Sequence, residues 1–377
     1  MLTIHVLNVG HGHSAIVEFD NGAEKVFGVV DSNVPKGETE PRALTKLRQL
    51  GAKRLSFVCL THPHTDHFKG LYRIIQAYDG SIDYFFSCPF GGLIHNRARL
   101  KKLAEKLREI KNSSEGEPVK EAVELLSIIK WADERARARS LDWHECAGEY
   151  LALGPTGFSG VSIATILPPN RAKGGYIQQI ERQDGFVLNT FRENEISLAL
   201  QFSYGGTAIV LGGDGTVANW RDRRRWETNT EAPIMASVVN LPHHGSRRDC
   251  PDDVLAQLFS VQGDRAGITS ADGHSHPSIE VIKWMEQHGV KPYCTNLIPQ
   301  CGANAQKLVS LPNLDPRLQR WIREVATGVD TVQPCQGDVS IVVDEAGNTS
   351  LERQYKNACA YRGDYAAFGG PQMTSSS

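Results

Sequence analysis

Within six positions the chain places three imidazoles and one carboxylate, His62, His64, Asp66 and His67, in the run Thr61-His62-Pro63-His64-Thr65-Asp66-His67. Imidazole nitrogen and carboxylate oxygen crowded on one turn suit Zn²⁺, Mn²⁺ or Fe. Pro63 stiffens the turn between the first two histidines, so little ordering is needed when a metal binds. Further candidates lie far along the chain. Asp214 follows Gly212-Gly213, which let the backbone turn sharply and leave the carboxylate accessible. His243 and His244 sit in Leu241-Pro242-His243-His244-Gly245-Ser246, and either one of the pair could be a ligand.

These residues share a setting. An apolar run, Leu55 to Leu60, reads as a buried strand before the first cluster, and Gly70 to Tyr78 reads as a helix after it. Thr207 to Leu211 reads as a strand leading to Asp214, and Met235 to Leu241 as one leading to the His243-His244 pair. In layered α/β folds, sites gather at the C-terminal ends of strands. Upstream, strands are expected over Ile4 to Val9, Ser14 to Phe19 and Lys25 to Asp31, the last two joined by an Asn21-Gly22 hairpin turn. Asp31 ends the third strand, either as a turn former or as an acceptor behind a ligand histidine. A helix is expected over 41–50 and further strands over Ile82 to Phe86, Asn194 to Phe202 and Ala266 to Ser270. Residues 93–140 read as a charged helical hairpin inserted in this pattern, with Val119, Ala122, Val123, Leu126 and Ile129 marking the apolar stripe of its second helix.

The composition is that of a globular protein: 377 residues, 40% hydrophobic and 22% charged, with a formal net charge of −2. The balance argues against a wholly cationic nucleic-acid binder and leaves room for local basic patches. No apolar stretch is long enough for a membrane span, and the N-terminal segment lacks the pattern of a signal peptide, so a cytoplasmic location and no membrane partner are expected. The eight cysteines form no C-x-x-C pair and read mostly as small buried hydrophobes, with a structural zinc among the last four as the alternative.

Taken together, Asn8-Val9-Gly10-His11-Gly12-His13-Ser14, Val30-Asp31, the His62 to His67 cluster, Asn194-x-x-Ser197, Gly213-Asp214, Leu241 to Ser246 and Gly273 to Pro277 resemble the motifs of metallo-β-lactamase-fold hydrolases, most closely the branch containing the hydrolase domain of the competence protein ComEC. The matching pieces cover most of residues 1–90 and 190–290. The resemblance implies an α/β fold, a four-layer αββα sandwich, here with the inserted helical hairpin. It implies one hydrolase domain over 1–368, with the insertion at about 93–140 and a C-terminal extension from about 295; the tail over 369–377 reads by itself as disordered. It also implies two divalent metal ions, Zn²⁺ first and Mn²⁺ as the alternative. By position, His62, His64 and Asp214 would hold one, and Asp66, His67, Asp214 and His243 the other, with a metal-activated hydroxide as nucleophile. Many relatives have a further histidine about twenty residues before the bridging aspartate. Here Asn194 stands in that stretch, so the first metal is expected to bind more loosely.

Asp66 and Asp214 are thereby the expected catalytic carboxylates. His276, before Pro277 at a helix start, either faces the metals and takes part in catalysis or caps the helix. His11 and His13 flank Gly12 in a loop that could approach the site. Local basic charge, above all Arg247 and Arg248 directly after the histidine pair, points with the resemblance to a phosphodiester substrate, a nucleic acid or nucleotide, with Arg247, Arg248 and Asn194 as substrate-binding residues. A small-molecule esterase or lactonase is the second reading. A module recruited to a protein partner through the 93–140 insertion is the third.

Overall fold

The computed structural model describes residues 1–89, 117–147, 151–169, 172, 193–230, 234, 236–259, 263–272, 275–296, 315–327 and 337–354. The first helix of the hairpin expected over 93–140, and also His274, Cys301, Cys335, Cys359 and the 369–377 tail, lie outside the described residues.

Two sheets carry the molecule. The first contains β1 (Leu2–Val6), β2 (Ala15–Asp20), β3 (Lys25–Val30), β4 (Leu55–Leu60), β5 (Ile82–Ser87) and β6 (Asp142–Glu145). It is extended beyond β1 by β14 (Val339–Val343) and β15 (Thr349–Arg353), giving the order β15-β14-β1-β2-β3-β4-β5-β6. The second holds β7 (Leu151–Leu153), β8 (Ser162–Leu167), β9 (Ala199–Tyr204), β10 (Thr207–Leu211), β11 (Ala236–Asn240), β12 (Arg265–Thr269) and β13 (Val290–Cys294), in the order β13-β12-β11-β10-β9-β8-β7. β3 to β6 run parallel, as do β10 to β13. Parallel strands need crossovers, and these supply the helices. α1 (Arg42–Gln49) joins β3 to β4, and α2 (Thr65–Phe68) with α3 (Leu71–Ala77) joins β4 to β5. α4 (Glu117–Arg137) leads into β6. On the second sheet, α5 (Val217–Thr230), α6 (Asp252–Leu258) and α7 (Ile279–Gln287) serve the same purpose, and α8 (Pro316–Thr327) follows. None of the described helices is long and apolar enough to cross a membrane.

Period-2 alternation sorts the second sheet's side chains into two layers. Leu200, Phe202, Ile209 and Leu211 join the core shared with the first sheet, among Ile4, Val17, Phe57 and Phe158. Ala199 and Val210, one step out of phase, face the other way and pack with Trp220, Val254, Leu255, Val281 and Met285 of the helices. The result is a mixed α/β sandwich of two facing sheets with helices outside.

Three local expectations shift. The first strand ends at Val6, because Leu7 N bonds Ser14 O and Asn8 N bonds Asp338 Oδ1 instead of continuing the ladder. The strand expected from Asn194 begins only at Ala199: Glu193–Ile196 is a 3-10 turn closed by Ser197 N to Asn194 O, and Leu198 N then reaches across to Thr61 O. On α4 the buried face runs through Ala122, Leu125, Ile128, Ile129 and Ala132, whereas Val123 of the expected stripe is 45% exposed. The stripe is rotated because Trp131 and its neighbours pack against Phe85 and Trp143 of the sheet edge.

Candidate metal centre

The first cluster sits on the loop leaving β4, a strand buried along its whole length and flanked by parallel neighbours. His64 is the N-cap of the single-turn helix α2, so Asp66 and His67 fall in its first turn while His62 stays on the strand end. The loop over Gly10 to Ser14 lies directly on it, with His13 N bonded to Asp66 O at 3.1 Å. Gly12 allows this approach: its φ is +110°, and a Cβ there would come within 2.2 Å of Asp66 O.

The second sheet contributes from the facing side. After β10 the chain turns at Gly213, whose φ is +51° and where a Cβ would meet Leu198 O at 2.3 Å. Asp214 follows, its N–H donating to Ser197 Oγ. After β11 come His243 and His244, both with left-handed backbone, φ 46° and 55°. Consecutive non-glycine residues in that region are strained by about 1–3 kcal/mol each, and such strain collects at functional sites. His243 N bonds Gly213 O at 2.8 Å, which locks the two loops together.

The imidazoles are held from behind. Asp31, fully buried at the end of β3 with φ 58°, accepts from Thr61 N and Thr61 Oγ1, and its Oδ2 stands 2.7 Å from His67 Nδ1 and 3.2 Å from His13 Nδ1. His62 Nδ1 stands 3.1 Å from Thr61 Oγ1 and 3.3 Å from Ser197 Oγ. His243 Nδ1 stands 2.6 Å from Asp249 Oδ2. An acceptor behind Nδ1 keeps the proton there and turns the lone pair of Nε2 forward, which is the arrangement of metal-ligating histidines.

In front, the atoms converge. His67 Nε2 lies 3.3 Å from Asp214 Oδ1 and 3.9 Å from Asp66 Oδ2. His62 Nε2 lies 3.6 Å from Asp214 Oδ2, and His244 Nε2 lies 3.4 Å from Asp66 Oδ2. Two donors bonded to one zinc at about 2.0–2.2 Å stand roughly 3–3.6 Å apart, close to the spacing found here. His62 Nε2, His67 Nε2, His244 Nε2 and Asp214 Oδ1 are buried without a hydrogen-bond partner. Four orphaned donor atoms facing one small volume fit divalent metal, since buried polar atoms otherwise find partners. Two sets, His62-His67-Asp214 and Asp66-His67-His244, each have ligand atoms close enough to share an ion.

Electrostatics agree. Burial would raise the carboxyls of Asp66 and Asp214, but His67 and the neighbouring histidines outweigh it and hold both well below the usual carboxylate range. Burial would lower His67, yet Asp214, Asp31 and Asp66 push it up. His62 is pushed down by burial and by the charge of His67. Ionised carboxylates packed around buried imidazoles call for a cation.

The expected residues are thus placed as follows. His62, Asp66, His67 and Asp214 come together, whereas His64 stands beside them with its ring 4.6 Å from that of His62 and its Nε2 2.9 Å from Glu193. Of the histidine pair, His244 groups with Asp66 and His67, while His243 stands outside that set with Nε2 3.8 Å from Asp214 Oδ2. His276 stands beside the histidine pair, its ring 5.8 Å from that of His243 and 6.3 Å from that of His244, with Nδ1 buried and unpartnered. Burial and His244 push it down, so it is neutral at pH 7. His11 lies against Asp66 (3.2 Å) and Asp272 (3.8 Å), and hydrogen bonds from these two raise it to about 10. Arg247 is on the surface, its guanidinium 2.7 Å from Asp252, and Arg248 is exposed beside it. Asn194 is buried, and its Oδ1 has no hydrogen-bond partner among the described residues.

Three residues were not anticipated. Glu193, fully buried, places Oε2 2.9 Å from His64 Nε2. Asp249 backs His243, and Asp272 backs His11 while accepting from the backbone of Ser275 and His276. Asp249 has a signal in hindsight, an acid six positions after a candidate ligand. Glu193 and Asp272 have none beyond their motif neighbours Asn194 and Gly273.

Residues 9–84 match the family model described as the metallo-beta-lactamase superfamily. Among solved structures, the chain is similar to a CmlA beta-hydroxylase mutant (10% identity, TM-score 0.41, 78% of this chain and 52% of that one). It is also similar to Tm1679, a metal-dependent hydrolase of the beta-lactamase superfamily (12%, 0.39, 79% and 98%). A third is Igni18, a metallo hydrolase from the hyperthermophilic archaeon Ignicoccus hospitalis (13%, 0.40, 78% and 94%). The chain spans about half the length of the first of these. With identities and TM-scores this low, nothing about substrate is carried over from them. Curated proteins give no match. The matched segment contains the loop from Gly10 to Ser14, Asp31 and the His62 to His67 cluster, and the two facing sheets complete the frame around them; this mixed α/β arrangement of two sheets and helices is consistent with the metallo-β-lactamase sandwich fold.

Proposed function

We propose that the chain is a metal-dependent hydrolase acting on a phosphodiester, with nucleic acid or a nucleotide as the substrate class. The observation that carries the hydrolase reading is the convergence of His62, His67, His244 and Asp214, whose donor atoms face one another and find no other partner. Divalent ions bound there would supply Lewis acidity and lower the pKa of a water at neutral pH. Zn²⁺ suits the imidazole-rich donors, and Mn²⁺ the carboxylates.

The protein's own residues set the rest. Asp31 keeps the imidazole of His67 in one tautomer and one orientation, and Asp249 holds His243 beside the set. Asp214 presents oxygens to both sets of histidines, the position from which one carboxylate can be shared. His276, neutral and beside the histidine pair, would hydrogen-bond a substrate oxygen instead of delivering a proton. Asp272 joins the two sides, accepting from the His276 backbone N–H and standing 3.8 Å from His11 Nδ1.

The phosphodiester reading is supported by the ComEC-like motifs of the sequence. The basic side chains support it less: Arg247 is paired with Asp252 and Arg221 with Asp253, so both guanidinia are engaged at the surface. On α4, Val123 is the lone large apolar side chain exposed among the described residues, which gives little support to a partner-docking helix. The test is a screen of metal-loaded protein against bis-p-nitrophenyl phosphate, single- and double-stranded nucleic acid, and a lactone. Turnover of the phosphodiesters with none of the lactone is expected. Lactone turnover alone would replace the substrate class, and no metal-dependent turnover of any kind would remove the hydrolase reading.

A further inference from the structure

The single-turn helix α2 carries Asp66 and His67, yet little of its own structure holds it in place. A first helical turn is the costly step of helix formation, and the N-cap His64 makes no side-chain cap bond. The position of α2 is therefore set from outside. His13 N bonds Asp66 O at 3.1 Å, and Ser32 N bonds His67 O at 2.8 Å. The third anchor comes from α4, the described helix of the expected insertion. Thr65, between His64 and Asp66, donates from Oγ1 to Glu121 Oε2 at 3.0 Å.

That contact is one of a series along a single face of α4, where Glu121, Glu124, Leu125, Ile128, Trp131 and Arg135 recur at helical spacing. Glu124 Oε1 accepts from Gly70 N at 2.7 Å and Tyr72 N at 3.3 Å, and so caps α3, whose N-cap glycine has no side chain to do it. Leu125 and Ile128 are buried in the core. Asp79, just past the end of α3, accepts from Trp131 Nε1 at 2.9 Å and pairs with Arg135. The face from Glu121 to Arg135 spans about 21 Å of helix, enough to follow the chain from the metal turn to the far end of α3.

We propose that Glu121 is a positioning residue for the metal centre: through Thr65 it fixes the turn that presents Asp66 and His67. The inference rests on the metal centre described above and goes beyond it in making α4 part of the frame of that site. Thr65 directly precedes Asp66, so a shift of its backbone moves the carboxylate that faces His67 Nε2 and His244 Nε2. A hydrogen bond to a carboxylate is roughly twice as strong as one between neutral groups, which suits Glu121 to hold a turn with few bonds of its own. Asp79 holds α4 at the opposite end of α3, away from that turn, and serves docking of the helix alone.

The experiment is a competitive chelator titration of the full-length holoprotein with Zn²⁺, with thermal melts alongside. Glu121→Ala and Thr65→Val should each weaken Zn²⁺ binding by roughly tenfold, the lower end of the loss seen when a group behind a metal ligand is removed. The double variant should lose no more than either single one, because both changes remove the same bond. Thr65→Ser keeps the hydroxyl and should bind as wild type. Asp79→Asn should lower the melting temperature and leave Zn²⁺ affinity unchanged. Wild-type affinity in a folded Glu121→Ala, additive losses in the double variant, or an equal loss in Asp79→Asn would overturn the assignment. If Glu121→Ala does not fold, the isosteric Thr65→Val carries the test, and wild-type affinity in that variant would overturn it equally. Wild-type protein that binds no ion would instead overturn the metal centre itself, and the role of Glu121 with it.

Discussion

His5 and His67 are both buried histidines held by a buried carboxylate, and they do different things. His5 on β1 has both ring nitrogens engaged: Nδ1 with Ser340 Oγ at 2.8 Å and Nε2 with Glu18 Oε2 at 3.2 Å. Glu18 is satisfied in turn by Lys25 Nζ at 2.7 Å. The group is closed, and its business is to join β14, β1, β2 and β3. His67 has Nδ1 on Asp31 at 2.7 Å and Nε2 without a hydrogen-bond partner, facing Asp214 and Asp66. That group is open at one atom. A buried, oriented and unsatisfied nitrogen is what separates a ligand from a packing residue, because leaving such an atom unpaired costs about 1–3 kcal/mol unless something binds it.

The comparison can be broken most directly at Asp214, the carboxylate facing the open atoms. Asp214→Ala should cut metal-dependent turnover by about 10³-fold or more while the fold persists, since a shared ligand and its charge are lost together. Elemental analysis and circular dichroism check it; full turnover in a folded variant would mean that the open nitrogens serve no metal.

A smaller effect is expected behind the ligand. Asp31→Asn preserves a residue type that tolerates φ 58° and can still accept from Thr61 N, but it removes the charge behind His67. Metal affinity should fall roughly 10–100-fold, the usual cost of losing an acceptor behind a ligand imidazole. A metal titration of this variant measures it.

The closed group should answer only in stability. Hydrogen bonding from His5, then from Lys25, holds Glu18 down at about 2, below its ordinary value near 4.5. A carboxyl depressed in the folded state stabilises above the unfolded pKa and loses that contribution as pH falls through the folded one. Glu18→Gln should therefore lower stability at pH 7 by roughly 1–3 kcal/mol, with the gap to wild type closing between about pH 4.5 and 2. Denaturant melts at several pH values test this, and metal content should be unchanged. Metal loss here would erase the distinction between the two histidines.

The smallest effect is expected at the surface. Replacing Arg247 and Arg248 together with alanine should change turnover of a neutral ester by less than about twofold, and should raise KM for an anionic polymer a few-fold with a flatter salt dependence. An equal loss on both substrates would make the pair structural, in keeping with the Arg247–Asp252 contact.

Much of the frame was legible from local pattern. The buried run Leu55 to Leu60, the Asn21-Gly22 turn and the strand before Asp214 follow from apolar periodicity and turn chemistry, which act between near neighbours. The strand expected from Asn194 failed because Leu198 N and Ser197 Oγ bond to residues far away in the chain, Thr61 and His62. On α4, the choice of Leu125 and Ile128 over Val123 for the core depended on where Phe85 and Trp143 stand, which no helical periodicity contains.

The site divides the same way. His62, His64, Asp66 and His67 were visible from sequence because one tight loop forces residues at that spacing together, whatever the rest of the chain does. Asp214 and the His243-His244 pair were visible as strand-end residues, but that His244 groups with Asp66 and His67 while His243 Nδ1 meets Asp249 follows from two consecutive left-handed residues and the facing loops. Glu193 was invisible beside Asn194, since both sit in one short turn and only its anchoring on Ser197, His62 and Asp214 decides which side chain meets His64. The sequence by itself determined the donor types and the loop that concentrates them. The packing of one sheet against the other decided the partners, because a carboxylate becomes a ligand only through atoms brought within a few ångströms from distant parts of the chain.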